Sequence, residues 1–178
     1  MRYDSISAEQ RHIEAIAAEM LAAARTAPKA HGLDKLECFA LDGEEKDALA
    51  EKMREYVASG GPAFFERDAN NIDQAQMVLL FGAVNEPYGL NCGYCGEETC
   101  KEAMEKGRKC FFAAHDLGLA IGSAVSKATD GRVDCRVLYS AGTVAKEIKL
   151  FRSDVFAAIA IPLSVSKKNP FFDRKWPK

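Results

Sequence analysis

Four of the chain's six cysteines fall within nineteen positions, and nothing else in the sequence restricts the fold as tightly. Cys92-Gly93-Tyr94-Cys95-Gly96-Glu97-Glu98-Thr99-Cys100 is a C-x2-C-x4-C run, and Cys110 follows at the end of a lysine-rich turn. Two thiols separated by two residues converge because the chain reverses between them. Gly93 and Gly96 lack a Cβ, so the backbone there can take positive φ and turn its N–H groups toward negative sulfur. Zinc and iron–sulfur clusters both accept four thiolates. Zinc sites usually pair two C-x2-C knuckles, whereas one knuckle followed by a four-residue gap and a lone cysteine suits the separated corners of a cubane [4Fe–4S] cluster. Structural zinc, stapling a loop used for interaction, is an alternative. Disulfides are a weaker one, because no secretory segment accompanies the cysteines. The expected metal ligands are Cys92, Cys95, Cys100 and Cys110.

Cys92-Gly93-x-Cys95-Gly96-x-x-x-Cys100-x-Glu102-Ala103 resembles the CGxCGxxxCxxxA signature of the small four-cysteine ferredoxin-type domain that binds [4Fe–4S]. With Asp116-Leu117-Gly118-Leu119-Ala120-Ile121-Gly122-Ser123-Ala124-Val125 and Lys168-Asn169-Pro170-Phe171-Phe172-Asp173-Arg174, the chain resembles a prokaryotic family of unknown function described as ferredoxin-domain-containing proteins. The resemblance implies one-electron redox chemistry and brings no assigned reaction. The ferredoxin-type domain leaves a longer gap before its fourth cysteine, so Cys135 stands as an alternative to Cys110. Cys38 lies in an apolar stretch and reads as a buried, inert thiol.

Composition narrows the remaining classes. With 178 residues, 48% of them hydrophobic and 28% charged, the chain can bury one substantial core. A net charge of −2, with lysines scattered among glutamates, gives no general attraction for nucleic acid. No apolar run reaches the roughly 18 residues of a membrane span, and Met1-Arg2-Tyr3-Asp4-Ser5 lacks an apolar signal core, so a cytoplasmic location is expected. His12, His31 and His115 form no paired-ligand pattern, and His115 reads as a hydrogen-bonded core residue. Acyl and phosphoryl transfer have no support in any nucleophile elbow or phosphate loop.

Taken in order, Ser7 and Gln10 have capping-box spacing ahead of a helix to about Ala27, ended by Pro28. Leu36–Leu41 reads as a strand, and Asp42 as the cap of a helix buried through Leu49, Met53, Tyr56 and Val57. Phe64 and Phe65 anchor a short helix or loop. Met77–Val84, apolar without alternation, reads as a strand covered on both faces. Asn85 to Asn91 is turn chemistry leading into the cysteines, with a short helix after Cys100 and a longer one from Phe111 to about Lys127. The small residues Gly118, Ala120, Gly122, Ser123 and Ala124 let a neighbouring helix come close. A helix over 137–150 and a buried strand over 155–163 follow. Cys135 is placed in a polar turn. Lys101, Lys106, Arg108 and Lys109 read as a solvated face, with stabilisation of the site or attraction of an acidic partner as the alternative. The closing 168–174 segment, too apolar for a free tail, is expected to dock on the body or on a second subunit.

Ala23-Ala24-Arg25-Thr26-Ala27-Pro28-Lys29-Ala30-His31-Gly32-Leu33, Ala113-Ala114-His115-x-Leu117-Gly118-Leu119 and Ala157-Ala158-Ile159-Ala160-Ile161-Pro162 resemble, in order, three landmarks of the nitroreductase fold. That resemblance implies an α+β fold with helices packed on a central mixed sheet, a homodimer, and FMN at its interface. The arginine pair with which nitroreductases hold the flavin phosphate has no counterpart before Ile13. Arg25 and Lys29 are the cations that remain for that task, and a cationic helix C-terminus is their other reading. The expectation is a single domain over 1–178 with 85–112 as a cluster-binding segment, acting as an electron-transfer protein with a redox partner protein. The competing expectation is an FMN-dependent oxidoreductase fed by the cluster.

Overall fold

The computed structural model describes residues 4–172. Its elements run α1 (Ser5–Thr26), β1 (Leu36–Leu41), α2 (Gly43–Ala58), α3 (Phe64–Gln74), β2 (Met77–Val84), α4 (Cys100–Glu105), α5 (Phe111–Asp130), β3 (Asp134–Cys135), α6 (Tyr139–Glu147) and β4 (Val155–Ser164). A single 3₁₀ turn at Ala30–Gly32 follows α1.

The strand β2 sets the layering. Successive side chains on a strand face opposite ways. Val78 and Leu80 enter one core with α2, α3 and α6, while Met77, Leu79, Phe81 and Ala83 enter a second core with α1 and α5. A strand buried on both faces needs apolar residues at every position, which explains the missing alternation. Helices thus cover both faces of a four-stranded sheet of order β1-β2-β4-β3.

Every strand pairing is antiparallel, so the α+β class and its helical layers stand while the mixed sheet expected from sequence is corrected. For β1 and β2, two helices lie between the strands and the chain re-enters at the end it left, pairing Leu41 with Val78.

Several boundaries differ for local reasons. The cap of α1 is Asp4, whose carboxylate accepts the Ser7 N–H at 2.9 Å; Ser7 is the capped residue and not the cap. The helix expected over 137–150 shrinks to α6, because Leu138 exchanges backbone hydrogen bonds with Ala160 at 2.8 and 2.9 Å. At its other end Lys149 turns left-handed at φ 59°. Cys135 is half-buried in β3 opposite Leu163, and not in a polar turn, because it continues the sheet edge. Gly142 lies on α6 where a Cβ would collide with the backbone of Ala158, so glycine lets helix and strand touch. Phe171 is buried in the core, and Arg136 donates to its carbonyl at 2.6 Å, docking this part of the closing segment on the body. Asp173 and Arg174 lie outside the described residues.

Candidate metal centre

The site forms at the end of the sheet where β2 finishes and β4 begins. Asn85 fixes the exit of β2, its N–H donating to the Asp154 carbonyl at 2.8 Å and its side-chain amide to the Asp154 carboxylate at 3.0 Å. The chain then turns through Gly93 and Gly96, at φ 77° and 89°, with the Gly96 N–H on the Gly93 carbonyl at 2.9 Å. Both glycines adopt the left-handed backbone anticipated from sequence, which a side chain would resist.

Thr99 ends the loop by capping α4, its hydroxyl accepting the Glu102 N–H at 3.1 Å. Thr99-x-x-Glu102 has capping-box spacing, a signal that the sequence carries openly. At the other end of α4, Gly107 is left-handed at φ 68°. The Arg108 N–H reaches the Ala103 carbonyl at 2.8 Å and the Gly107 N–H reaches Met104 at 3.0 Å. This is a Schellman turn, and it reverses the chain so that Cys110 comes back beside the loop.

Cys92, Cys95, Cys100 and Cys110 line one cavity, together with Asn91, Thr99, Met104, Lys109, Phe111 and Phe156. Its volume is about 90 Å³, several times the roughly 10–15 Å³ that suffices for one water molecule. Cys135 and Cys38 do not line it; both pack at the margin of the α1/α5 core. Burial and then Asp34 push the Cys38 thiol up to about 12, and burial with Asp134 raises that of Cys135, so both are poor thiolate donors. Among the described residues, no three His, Cys, Asp or Glu side chains are gathered as the ligands of a single metal ion.

The charged residues round the loop are largely paired. Lys106 Nζ bonds Glu97 at 2.6 Å and Glu102 at 2.7 Å, and Arg108 Nε reaches Glu97 at 3.2 Å. Hydrogen bonds from Lys106 and then Arg108 hold the Glu97 carboxyl below its usual range. Glu97 thereby ties the loop to the turn after α4, a contact between residues nine and eleven positions apart. Lys109 donates to Asn85 at 3.0 Å and lies over the Phe156 ring. At the loop apex Tyr94 is 66% exposed. Its ring packs edge-on to Phe111 and stacks with Phe112, at centroid distances of 5.3 and 5.7 Å.

Behind Cys110, the buried Asp116 accepts the Ala30 N–H at 2.8 Å and faces His115 Nδ1 at 3.1 Å, joining α5 to the turn after α1. His115 is on the exposed side of α5, hydrogen-bonded yet outside the core expected for it. Tyr88 is buried near Asp116, its hydroxyl without a hydrogen bond to any described residue. Burial, and then Asp116, push its phenol up.

The two residues expected at a flavin phosphate both have partners within the chain. Lys29 Nζ donates to the carbonyls of Ala24, Arg25 and Ala27 at 2.8, 2.9 and 3.0 Å, capping the C-terminus of α1 with all three of its protons. Arg25 pairs with Asp34 at 2.5 Å. Of the small residues on α5, Ala120 and Ala124 pack in the α1 core and Ser123 donates to Ala23 at 3.0 Å, whereas Gly118 and Gly122 face open space.

Comparison with known proteins agrees with this architecture. Residues 106–174 match the family described as "Uncharacterized protein containing a ferredoxin domain", a span that holds Cys110 and Cys135. An "Uncharacterized protein" of Archaeoglobus fulgidus is 40% identical over 164 residues, 87% of this chain and 88% of that one. A nitroreductase family protein from Clostridium novyi NT has a similar structure, with TM-score 0.60 and 14% identity over 94% of this chain and 77% of that one. An FMN-dependent nitroreductase from Clostridium difficile R20291 follows at TM-score 0.55 and 16% identity, over 87% and 77%. Bacillus megaterium NfrA1 gives TM-score 0.54 and 14% identity over 88% of this chain, which spans 61% of its length. No helix among the described residues is long and apolar enough to cross a membrane. The fold is nitroreductase-like, and the chain belongs to the family of uncharacterized proteins that contain a ferredoxin domain.

Proposed function

We propose that the chain is an electron-transfer protein in which Cys92, Cys95, Cys100 and Cys110 hold one [4Fe–4S] cluster, exchanging electrons with a redox partner protein. The observation that carries this reading is that four thiols from the loop, the start of α4 and the residue before α5 line a single cavity. The residues present fit such a group. Four sulfur donors are the usual complement of a cubane, and the cavity has room for a polyatomic core. When bound, the cluster supplies one-electron chemistry. The chain's own part is to hold the sulfurs in place, through the Thr99 cap and the Glu97 clamp, and to limit water at the inner wall with Phe156 and the buried Ala103. The exposed Tyr94 and Phe111 form an apolar rim beside the cavity on which a partner can rest.

Anaerobic reconstitution followed by iron, sulfide and zinc quantification tests it: about four iron and four sulfide per chain are expected. Replacement of any one of the four cysteines by serine should lower that content, and Cys38→Ser and Cys135→Ser should not. A protein that binds zinc and no iron would sink the reading in favour of a structural zinc loop.

A second reading, an FMN-dependent oxidoreductase supplied with electrons by the cluster, takes its support from the nitroreductase-like fold. In that reading Lys29 would exchange its hydrogen bonds to the end of α1 for a flavin phosphate. Flavin released by heat from the same anaerobic sample distinguishes the two. Homodimerisation belongs to both readings. The open glycines of α5, with Leu119 exposed beside them, suit the close approach of a second copy, and light scattering on the native protein reads its mass directly.

A further inference from the structure

We infer that Asn91 is a positioning residue for Cys100: it fixes the sulfur at the cavity wall and gives it an amide hydrogen bond that favours the reduced site. The inference rests on the iron–sulfur reading above. Asn91 has φ 48°, in the left-handed region that asparagine enters more readily than other side-chain-bearing residues. In that conformation its backbone N–H points to Cys100 Sγ at 3.4 Å. Its side-chain Oδ1 meanwhile accepts the Cys100 N–H at 2.8 Å.

Two hydrogen bonds therefore run in opposite directions between the same pair of residues, nine apart in sequence. The side-chain bond holds the Cys100 backbone, and the main-chain bond acts on its sulfur. An N–H donor withdraws electron density from a thiolate and stabilises the more negative state, which raises the reduction potential of whatever that thiolate ligates. A turn residue chosen only for its backbone would need neither contact. Asparagine is the side chain that joins left-handed tolerance to a neutral acceptor; glycine has only the first property.

The test compares wild type with Asn91→Gly, which keeps the backbone permissive and the main-chain donor but removes Oδ1, and with Asn91→Asp, which keeps an acceptor. In metal-free protein under argon, iodoacetamide labelling read by mass spectrometry should show Cys100 alkylated several-fold faster in Asn91→Gly than in wild type. That is the scale of one lost hydrogen bond of about 1 kcal/mol. Cys92 should label at an unchanged rate, and Asn91→Asp should stay near wild type. In reconstituted protein, Asn91→Gly frees the Cys100 backbone, so that the retained residue-91 N–H no longer sits well on its sulfur, and the potential should become more negative at equal iron content. If Asn91→Gly loses iron while Asn91→Asp keeps it, the acceptor is the determinant and the inference holds; loss from both overturns it. Equal Cys100 labelling in wild type and Asn91→Gly, or an unshifted potential at equal iron content, also overturns it and leaves the cluster reading intact. A wild-type protein that takes up no iron overturns both.

Discussion

Glu37 shows how one carboxylate can connect distant parts of this chain. It lies on the edge strand β1 and accepts the N–H groups of Arg152 and Ser153, both at 2.8 Å, so that β1 is tied to the loop that enters β4. Burial alone would raise its pKa, but the two amides outweigh it and the net shift is downward from 4.5. A lowered folded value means that the contribution to stability is whole above the ordinary pKa and is lost as the pH falls through the folded one. Thermal melts of wild type and Glu37→Gln should therefore differ most near neutral pH and converge as the pH falls through and below the ordinary glutamate range. A constant gap across that range would contradict the assignment. At this scale the sequence is legible only where chemistry is concentrated. The four cysteines declare themselves by spacing; the capping pattern of Thr99 is present in the sequence but was not among the expectations, and Glu97 and Asn91 acquire their roles from partners that only the folded loop brings near.

The elements were legible to the degree that their burial is periodic. The stripe of α1 and the unbroken apolar run of β2 each have a direct structural cause, a helix with one buried side and a strand with two. Two short pieces, β3 and α6, were not, although the short α4 was. Two residues of β3 carry no period, and α6 is cut short by the bridge from Leu138 to Ala160. The docking of α6 also depends on Gly142, where backbone meets backbone. Gly142→Ala improves helix propensity in isolation, yet in this protein it should destabilise by roughly 1–3 kcal/mol through overpacking. Chemical denaturation measures this, and a neutral or stabilising result would show that α6 does not press on β4 as described.

For the whole molecule, the three-layer fold brings the end of β2, the start of β4 and the N-terminus of α5 to one end of the sheet, and the cysteine segment spans the gap between them. Sequence spacing announced the sulfurs but not their wall. Phe156 and Lys109 join the cavity because β4 pairs with β2, a long-range event with no local signature. Sheet direction was equally hidden, since parallel and antiparallel buried strands draw on the same apolar residues. The central claim is that these four thiols act together on one redox-active iron centre. Electron paramagnetic resonance of the dithionite-reduced, anaerobically reconstituted protein tests it most directly. Wild type should give a signal integrating to about one spin per chain, characteristic of a reduced [4Fe–4S] centre, and Cys110→Ser should lose or reshape it while Cys135→Ser leaves it unchanged. A reduced wild-type protein without such a signal, or a signal indifferent to Cys110 and abolished at Cys135, would contradict the account.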